Sequence, residues 1–340
     1  MVARFRDGLN FASKFTLKRA WNLVKVLSSF YYSKWTRKPV QWGMPISVSM
    51  EPTTACNLRC PECPSGLRQF SRNTGMIRTE DHQRWIDELS ERTIYLLFYF
   101  QGEPFIHPNF LDMVSYAASK GIYTATSTNA HFLHENLAER TIASGLDRLI
   151  VSVDGTTQEV YEQYRRNGSL EKALNGIRNL IRKKRENRSG TPHVILQFLV
   201  VKPNEHQIEE VARLGKELGV DEVRYKTAQI NDPYDSNDLI PSRAKYARYK
   251  KGEDGKYRIK YTLKDHCWKL WHSSVITWDG TVVPCCFDKD AEHRLGDLQE
   301  KSFEAIWKGP AYTAFRQSVL GSRSSIDICR NCTEGCKVWA

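Results

Sequence analysis

Met50-Glu51-Pro52-Thr53-Thr54-Ala55-Cys56-Asn57-Leu58-Arg59-Cys60-Pro61-Glu62-Cys63 is the stretch that decides the reading of this chain. Just before it, Ile46–Met50 alternates apolar and small polar residues as a strand does, so the three cysteines fall on the loop leaving that strand. Their spacing is C-x3-C-x2-C. Three thiolates on a short loop can hold three irons of a cubane and leave the fourth iron open to another ligand. Structural zinc is the competing reading, and it wants four ligands in a tetrahedron. No fourth Cys or His stands nearby at a short zinc-knuckle spacing.

Working outward, strands are expected at Ile46–Met50, Ile94–Phe100, Tyr123–Thr126, Arg148–Val153, His193–Val201 and Glu222–Thr227. Segments of helical period separate them: Thr79–Glu91, Asn109–Lys120, Leu133–Ser144, Thr157–Asn187 with a break near Gly168, and Gln207–Leu218. Thr79 and Asn109 are expected to cap their helices. Such alternation implies a mostly parallel α/β sheet, either open and doubly wound or curved into a partial barrel. Both architectures place ligands at the strands' C-terminal ends. The cysteine loop, Gln101-Gly102-Glu103-Pro104, Ser127-Thr128-Asn129 and Ser152-Val153-Asp154-Gly155 all follow strands and so share one rim. After about residue 228 the regularity fades into a polar stretch read as a linker or boundary. The chain therefore divides into an extension over 1–42, an α/β domain over 43–240 and a small cysteine-bearing module over 241–340.

Nine cysteines lie in two groups, three within 56–63 and six after position 266, with none between. That distribution, without an export signal, argues against a disulfide framework and for metal. In the second group, Trp278-Asp279-Gly280-Thr281 reads as a hairpin turn that draws two cysteines together, and Cys329-x2-Cys332-x3-Cys336 closes a site from another segment. Four thiolates from separated segments suit a fully ligated four-iron cluster, with zinc again the alternative.

The ordered set of motifs resembles the radical S-adenosylmethionine (SAM) superfamily. The residues that carry the likeness are Glu51–Ala55 with the cysteine loop, Gly102-Glu103-Pro104, Thr128-Asn129, Ser152-Val153-Asp154-Gly155 and Arg165, over about residues 43–228. The resemblance implies a partial (β/α)6 barrel, a four-iron cluster on Cys56, Cys60 and Cys63, and S-adenosylmethionine bound at the open iron. It further implies reductive cleavage of that cofactor to a 5′-deoxyadenosyl radical that abstracts a substrate hydrogen, with a reducing electron-transfer protein as partner. Gly102, Glu103 and Pro104 would meet the methionine amino group, Ser152 and Arg165 its carboxylate beside Asp154, and Asn129 the ribose. Two positions depart from the family's pattern. Glu62 stands where an aromatic residue often precedes the third cysteine, and Gln101 replaces the first glycine of a Gly-Gly-Glu-Pro turn.

The late cysteines resemble the auxiliary-cluster module called SPASM or twitch, which implies a second four-iron cluster on Cys267, Cys285, Cys329 and Cys332. Cys286 and Cys336 remain as substitutes, and His266 and His272 lie near enough in sequence to be considered. The resemblance also implies Asp288, two positions beyond the cysteine pair, as the candidate catalytic base, with a solvated turn aspartate as the alternative. The implied reaction is oxidation or cross-linking of a peptide, or oxidation of a sugar-like or lipid-linked substrate. The competing function is a non-catalytic iron–sulfur or zinc protein that transfers electrons.

Charge is concentrated at the N-terminus. Residues 1–42 hold nine Lys and Arg against Asp7 alone, a net +8 of the chain's +11. Leu17, Ala20, Trp21, Val24, Leu27 and Tyr31 recur at helical steps, so an amphipathic helix is expected there. It suits packing against the body of the protein, or a peripheral position on an anionic membrane. Nucleic acid is not expected as a partner, because the rest of the chain adds little positive field. No apolar run of about 18 residues is present, and the expected location is the cytoplasm, with peripheral attachment to the inner membrane surface as the alternative.

Overall fold

The structure, a computed structural model, describes residues 2–232 and 237–335. Its centre is one nine-stranded sheet. The parallel strands are β1 (Ser47–Met50), β2 (Tyr95–Leu97), β3 (Tyr123–Thr128), β4 (Arg148–Ser152), β5 (His193–Val200) and β6 (Glu222–Thr227). The small strands β7 (Tyr249–Lys251) and β8 (Tyr257–Ile259) form a separate hairpin. Then β9 (Ser273–Ile276), β10 (Thr281–Val283) and β11 (Gly296–Asp297) rejoin the main sheet, in the order β11-β10-β9-β1-β2-β3-β4-β5-β6. The sheet does not close, since β6 and β11 are its edges. It is an α/β partial barrel.

Strands β4 and β5 are buried on both faces, as the near-continuous apolar runs Leu149–Val151 and Val194–Leu196 require of a sheet covered by helices. The chain's helices begin with α1 (Val2–Ser13), α2 (Leu17–Thr36) and the short α3 (Pro64–Leu67). Covering helices follow as α4 (Thr79–Leu89), α5 (Phe110–Ser119), α6 (Glu135–Ala143), α7 (Gln158–Tyr164), α8 (Leu170–Glu186) and α9 (Ile208–Leu218). The break expected near Gly168 separates α7 from α8. Thr79 and Asn109 do not cap by side chain. Arg78 is the N-cap of α4, and Asn109 turns its Nδ2 to Thr79 Oγ1 at 3.2 Å instead.

Two expectations change in kind. In the stretch after 228, read as a linker or boundary, the described residues are structured. Ile230, Ile240, Ala247 and Tyr249 pack in one apolar cluster with Leu58 and Cys60 of the cysteine loop. Strands of three residues are too short for a period to show, and the surrounding lysines mask them. The helix in the N-terminal extension is α2, but its apolar stripe faces outward. Leu17, Trp21, Val24 and Tyr31 are exposed, whereas Arg19, Asn22, Ser29 and Ser33 are buried with Val26 and Phe30. The inward polar groups are satisfied. Arg19 donates to the carbonyls of Lys14, Ser90, Lys120 and Gly121, and Asn22 pairs both ways with the Met44 backbone.

Candidate active site

A buried carboxylate pins the chain where it leaves β1. Glu51 accepts from both Arg72 nitrogens, at 2.8 and 2.6 Å, and from Trp278 N–H at 3.3 Å. Burial pushes the Glu51 pKa up while Arg72 opposes the shift, so the pair acts more as geometry than as net stability. Sequence reading missed Arg72, because no local pattern marks a partner 21 residues away.

The loop beyond Glu51 carries three free thiols, with Cys60 buried and Cys56 and Cys63 half-buried. Burial raises the Cys56 thiol to about 12, and the charges of Glu103, Cys63 and Cys60 add to the shift. The three thiols are thus close enough to feel one another's charge. Burial also raises Cys60, with the Arg165 guanidinium opposing from Nη1 at 3.8 Å. Among the described residues, no three Cys, His, Asp or Glu side chains form a set for a single metal ion. Three free thiols on one short loop fit an iron–sulfur cubane.

The next turns are bonded to this loop. Gly102 adopts φ 76°, and a Cβ there would stand 2.1 Å from Thr53 O, so only glycine fits. Its N–H donates to Ser65 Oγ at 2.8 Å, and the Glu103 N–H to Ala55 O at 2.8 Å. Pro104 opens a 3-10 turn. The buried Glu103 carboxylate accepts from Thr128 Oγ1 and Asn129 N–H, each at 2.8 Å, and burial pushes its pKa up to about 7 against those bonds. Asn129 Nδ2 reaches Asn57 Oδ1 at 2.8 Å. Ser152 is buried at the end of β4. Asp154 accepts from Arg165 Nε at 2.5 Å and from Leu199 N–H at 2.7 Å, so it aims Arg165 at the cysteine loop. Glu62, in the place of the usual aromatic, accepts from Asn231 N–H at 2.8 Å and ties the loop to the segment after β6.

The second set of cysteines assembles from three segments. Cys267, Cys329 and Cys332 influence one another electrostatically, and Cys285 feels both Cys267 and Cys332. Burial raises Cys332 to about 12. Arg323, itself buried, donates from Nη2 to Cys332 Sγ at 3.3 Å and to the Glu334 carbonyl, and from Nη1 to the His266 carbonyl. A guanidinium beside these sulfurs favours thiolate, and four free thiols with that neighbour fit a fully ligated cluster. Cys286 lies beside them but opens to the cavity described next, and Cys336 lies outside the described residues.

A cavity of about 490 Å³ separates the two sets, with Cys63 in one wall and Cys285 and Cys286 in another. Gln101 lines it too. Asp288 does not. Its carboxylate accepts the backbone N–H groups of Glu292 at 2.9 Å and His293 at 3.0 Å, organising its own loop. His272 lines the cavity, and burial lowers its pKa to about 3, which keeps it neutral.

Residues 50–215 match the radical SAM superfamily, and residues 267–333 match the SPASM iron-sulfur cluster-binding domain. The chain belongs to the radical SAM superfamily. It is a radical SAM enzyme of the oxidoreductase or maturase kind. Its cofactors are a four-iron cluster with S-adenosylmethionine and an auxiliary iron–sulfur cluster. The tungsten-containing aldehyde ferredoxin oxidoreductase cofactor-modifying protein of Pyrococcus furiosus is 28% identical over 302 residues, 78% of this radical SAM chain and 82% of that protein. The mycofactocin maturase of Mycobacterium tuberculosis is 30% identical over 175 residues, covering 52% of this chain but only 43% of the maturase. In fold, the chain is similar to Streptococcus suis SuiB bound to the precursor peptide SuiA, with TM-score 0.60 at 13% identity, over 87% of this chain and 72% of SuiB. No helix among the described residues of this radical SAM enzyme is long and apolar enough to cross a membrane.

Proposed function

We propose that this enzyme oxidises or cross-links a peptide held in the cavity between its two cysteine sets. Cys56, Cys60 and Cys63 would hold the first cluster, and Cys267, Cys285, Cys329 and Cys332 the second. When bound, these groups supply the electron that splits S-adenosylmethionine into methionine and a 5′-deoxyadenosyl radical, and an acceptor for the electron the oxidised substrate gives up. The chain's own residues bind and orient. Arg165, kept charged by Asp154, and Ser152 take the methionine carboxylate, the backbone at Gly102 and Glu103 takes the amino group, and Asn129 stands by the ribose. The observation that carries the reading is the cavity, bounded by cysteines of both sets. A peptide is favoured because the mycofactocin maturase is a relative and SuiB was solved with a precursor peptide.

Anaerobic reconstitution with iron and sulfide counting, and chromatography for 5′-deoxyadenosine, tests the reading. About eight irons per chain and adenosine release support it. Zinc, or clusters without cleavage, would instead indicate the electron-transfer alternative.

The N-terminal extension supports attachment to an anionic membrane surface. Every large exposed apolar side chain among the described residues lies in it, except Met76 and Tyr261. Leu17 is 92% exposed, Trp35 85% and Trp21 61%, with Lys18, Lys25 and Lys34 exposed among them. The inner face of α2 is already packed, with Phe30 edge-on to Trp268 and Trp271, so the outer stripe has no role in the core. Replacing Leu17, Trp21 and Trp35 together with Ser should abolish sedimentation with phosphatidylglycerol vesicles. Undiminished sedimentation would overturn the attachment.

A further inference from the structure

The cavity carries a charge pattern that the radical chemistry does not use. Arg248 stands in its wall with Nε and Nη1 both buried and without a hydrogen-bond partner among the described residues. A buried guanidinium with open donors is costly unless something accepts from it. Lys289 lines the same corner and makes no hydrogen bond or ion pair among the described residues. Its pKa is pushed down by burial, with the Arg248 charge adding to the effect and Cys63, Glu62 and Cys286 opposing it. Glu62 is the nearby carboxylate, and its oxygens are taken by Asn231 N–H at 2.8 Å and Asn237 Nδ2 at 3.4 Å. On the other side of Cys286, Lys269 has its own partner, Glu334, at 3.3 Å. The corner formed by Arg248, Lys289 and Glu62 is therefore left with one net positive charge and two unused Arg248 donors.

We propose that the substrate presents a carboxylate to Arg248 and Lys289, close to Cys63. A carboxylate can accept one charge-assisted hydrogen bond from Arg248 and one from Lys289, and one excess positive charge suits a monoanionic end better than a phosphate dianion. In a peptide such a group is an acidic side chain or the chain terminus. Binding there holds that group beside the first cysteine set, with the rest of the substrate extending toward Cys285 and Cys286. The inference rests on the proposed function only in calling the bound molecule a substrate.

The test uses the full chain, reconstituted anaerobically and saturated with S-adenosylmethionine, titrated calorimetrically with glutarate, its neutral diamide and inorganic phosphate. Glutarate should bind saturably and the diamide should not. Lys289→Gln and Arg248→Gln should each weaken glutarate about tenfold, the loss of one charge-assisted hydrogen bond, with S-adenosylmethionine affinity unchanged. Lys226→Gln, across the cavity, should weaken it far less. Should the Arg248 variant fail to fold, Lys289→Gln alone decides. No saturable glutarate binding, equal binding by the Lys289 variant, an equal loss in Lys226→Gln, or tighter binding of phosphate would each overturn the proposal. So would loss of S-adenosylmethionine affinity with glutarate unaffected, which would give the corner to that cofactor's own carboxylate. Glutarate binding without adenosine release would sink the proposed function and leave this site standing.

Discussion

The two cysteine sites solve the same problem by opposite means. Cys56, Cys60 and Cys63 come from one loop eight residues long, and their surroundings arrive as turns bonded to that loop: Gly102 through Ser65, Asn129 through Asn57, and Arg165 against Cys60. Cys267, Cys285, Cys329 and Cys332 come from three separate segments, and buried Arg323 bridges their sulfurs and backbone. The first arrangement leaves one side open, toward Arg165 and the cavity. Of the second set, Cys285 reaches the cavity while Cys329 and Cys332 are buried. Three thiols with an open face suit a cluster that binds a cofactor, and four thiols suit one that only accepts electrons.

That division can be broken most severely at the ligands. Cys60→Ala should abolish 5′-deoxyadenosine release entirely, whereas Cys329→Ala should leave unproductive release and stop product formation. Equal loss of adenosine in both variants would erase the distinction between the sites. A step smaller, Arg323→Gln should lower iron from about eight per chain toward about four, because the second set loses its buried cation while the first is untouched. Iron and sulfide analysis after reconstitution reads this directly, and full retention of iron would remove Arg323 from the second site. Asp154→Asn should be milder still. It releases Arg165 but keeps the acceptor for Leu199 N–H, so the concentration of S-adenosylmethionine giving half-maximal adenosine release should rise about tenfold with the maximal rate largely kept.

The same contrast explains what the sequence could disclose. The open site was readable because its ligands are contiguous and its turns each follow a strand of clear period; Gly102 and Asp154 stand where the motif order put them. The residues that aim and anchor the site were not readable. Arg72 and Arg323 work through partners set by tertiary packing, and a basic residue on a loop looks the same in sequence whether it is solvated or buried. Asp288 is the converse case, for its position two residues beyond a cysteine pair suggests chemistry, while its carboxylate accepts backbone N–H groups of its own turn. The outward apolar stripe of α2 was visible as a stripe, but its direction depended on whether Arg19 and Asn22 could be satisfied inside. No periodicity carries that information.

The pairing of β1 with β9 has a consequence for how the protein comes to be made. β1 is flanked on one side by β2, close in sequence, and on the other by β9, in register from Ser47 opposite Ser273. Alongside that seam the Gln41 side chain bonds Trp271 O across 230 residues of chain. Contacts of that separation form last, because the loop they close must lose its freedom before they can compensate. During synthesis the first cysteine loop emerges with its supporting turns soon behind it, while the second site waits for Cys329 and Cys332, far later in the chain. Assembly therefore has a built-in order, with the first cysteine loop formed before the second set is complete.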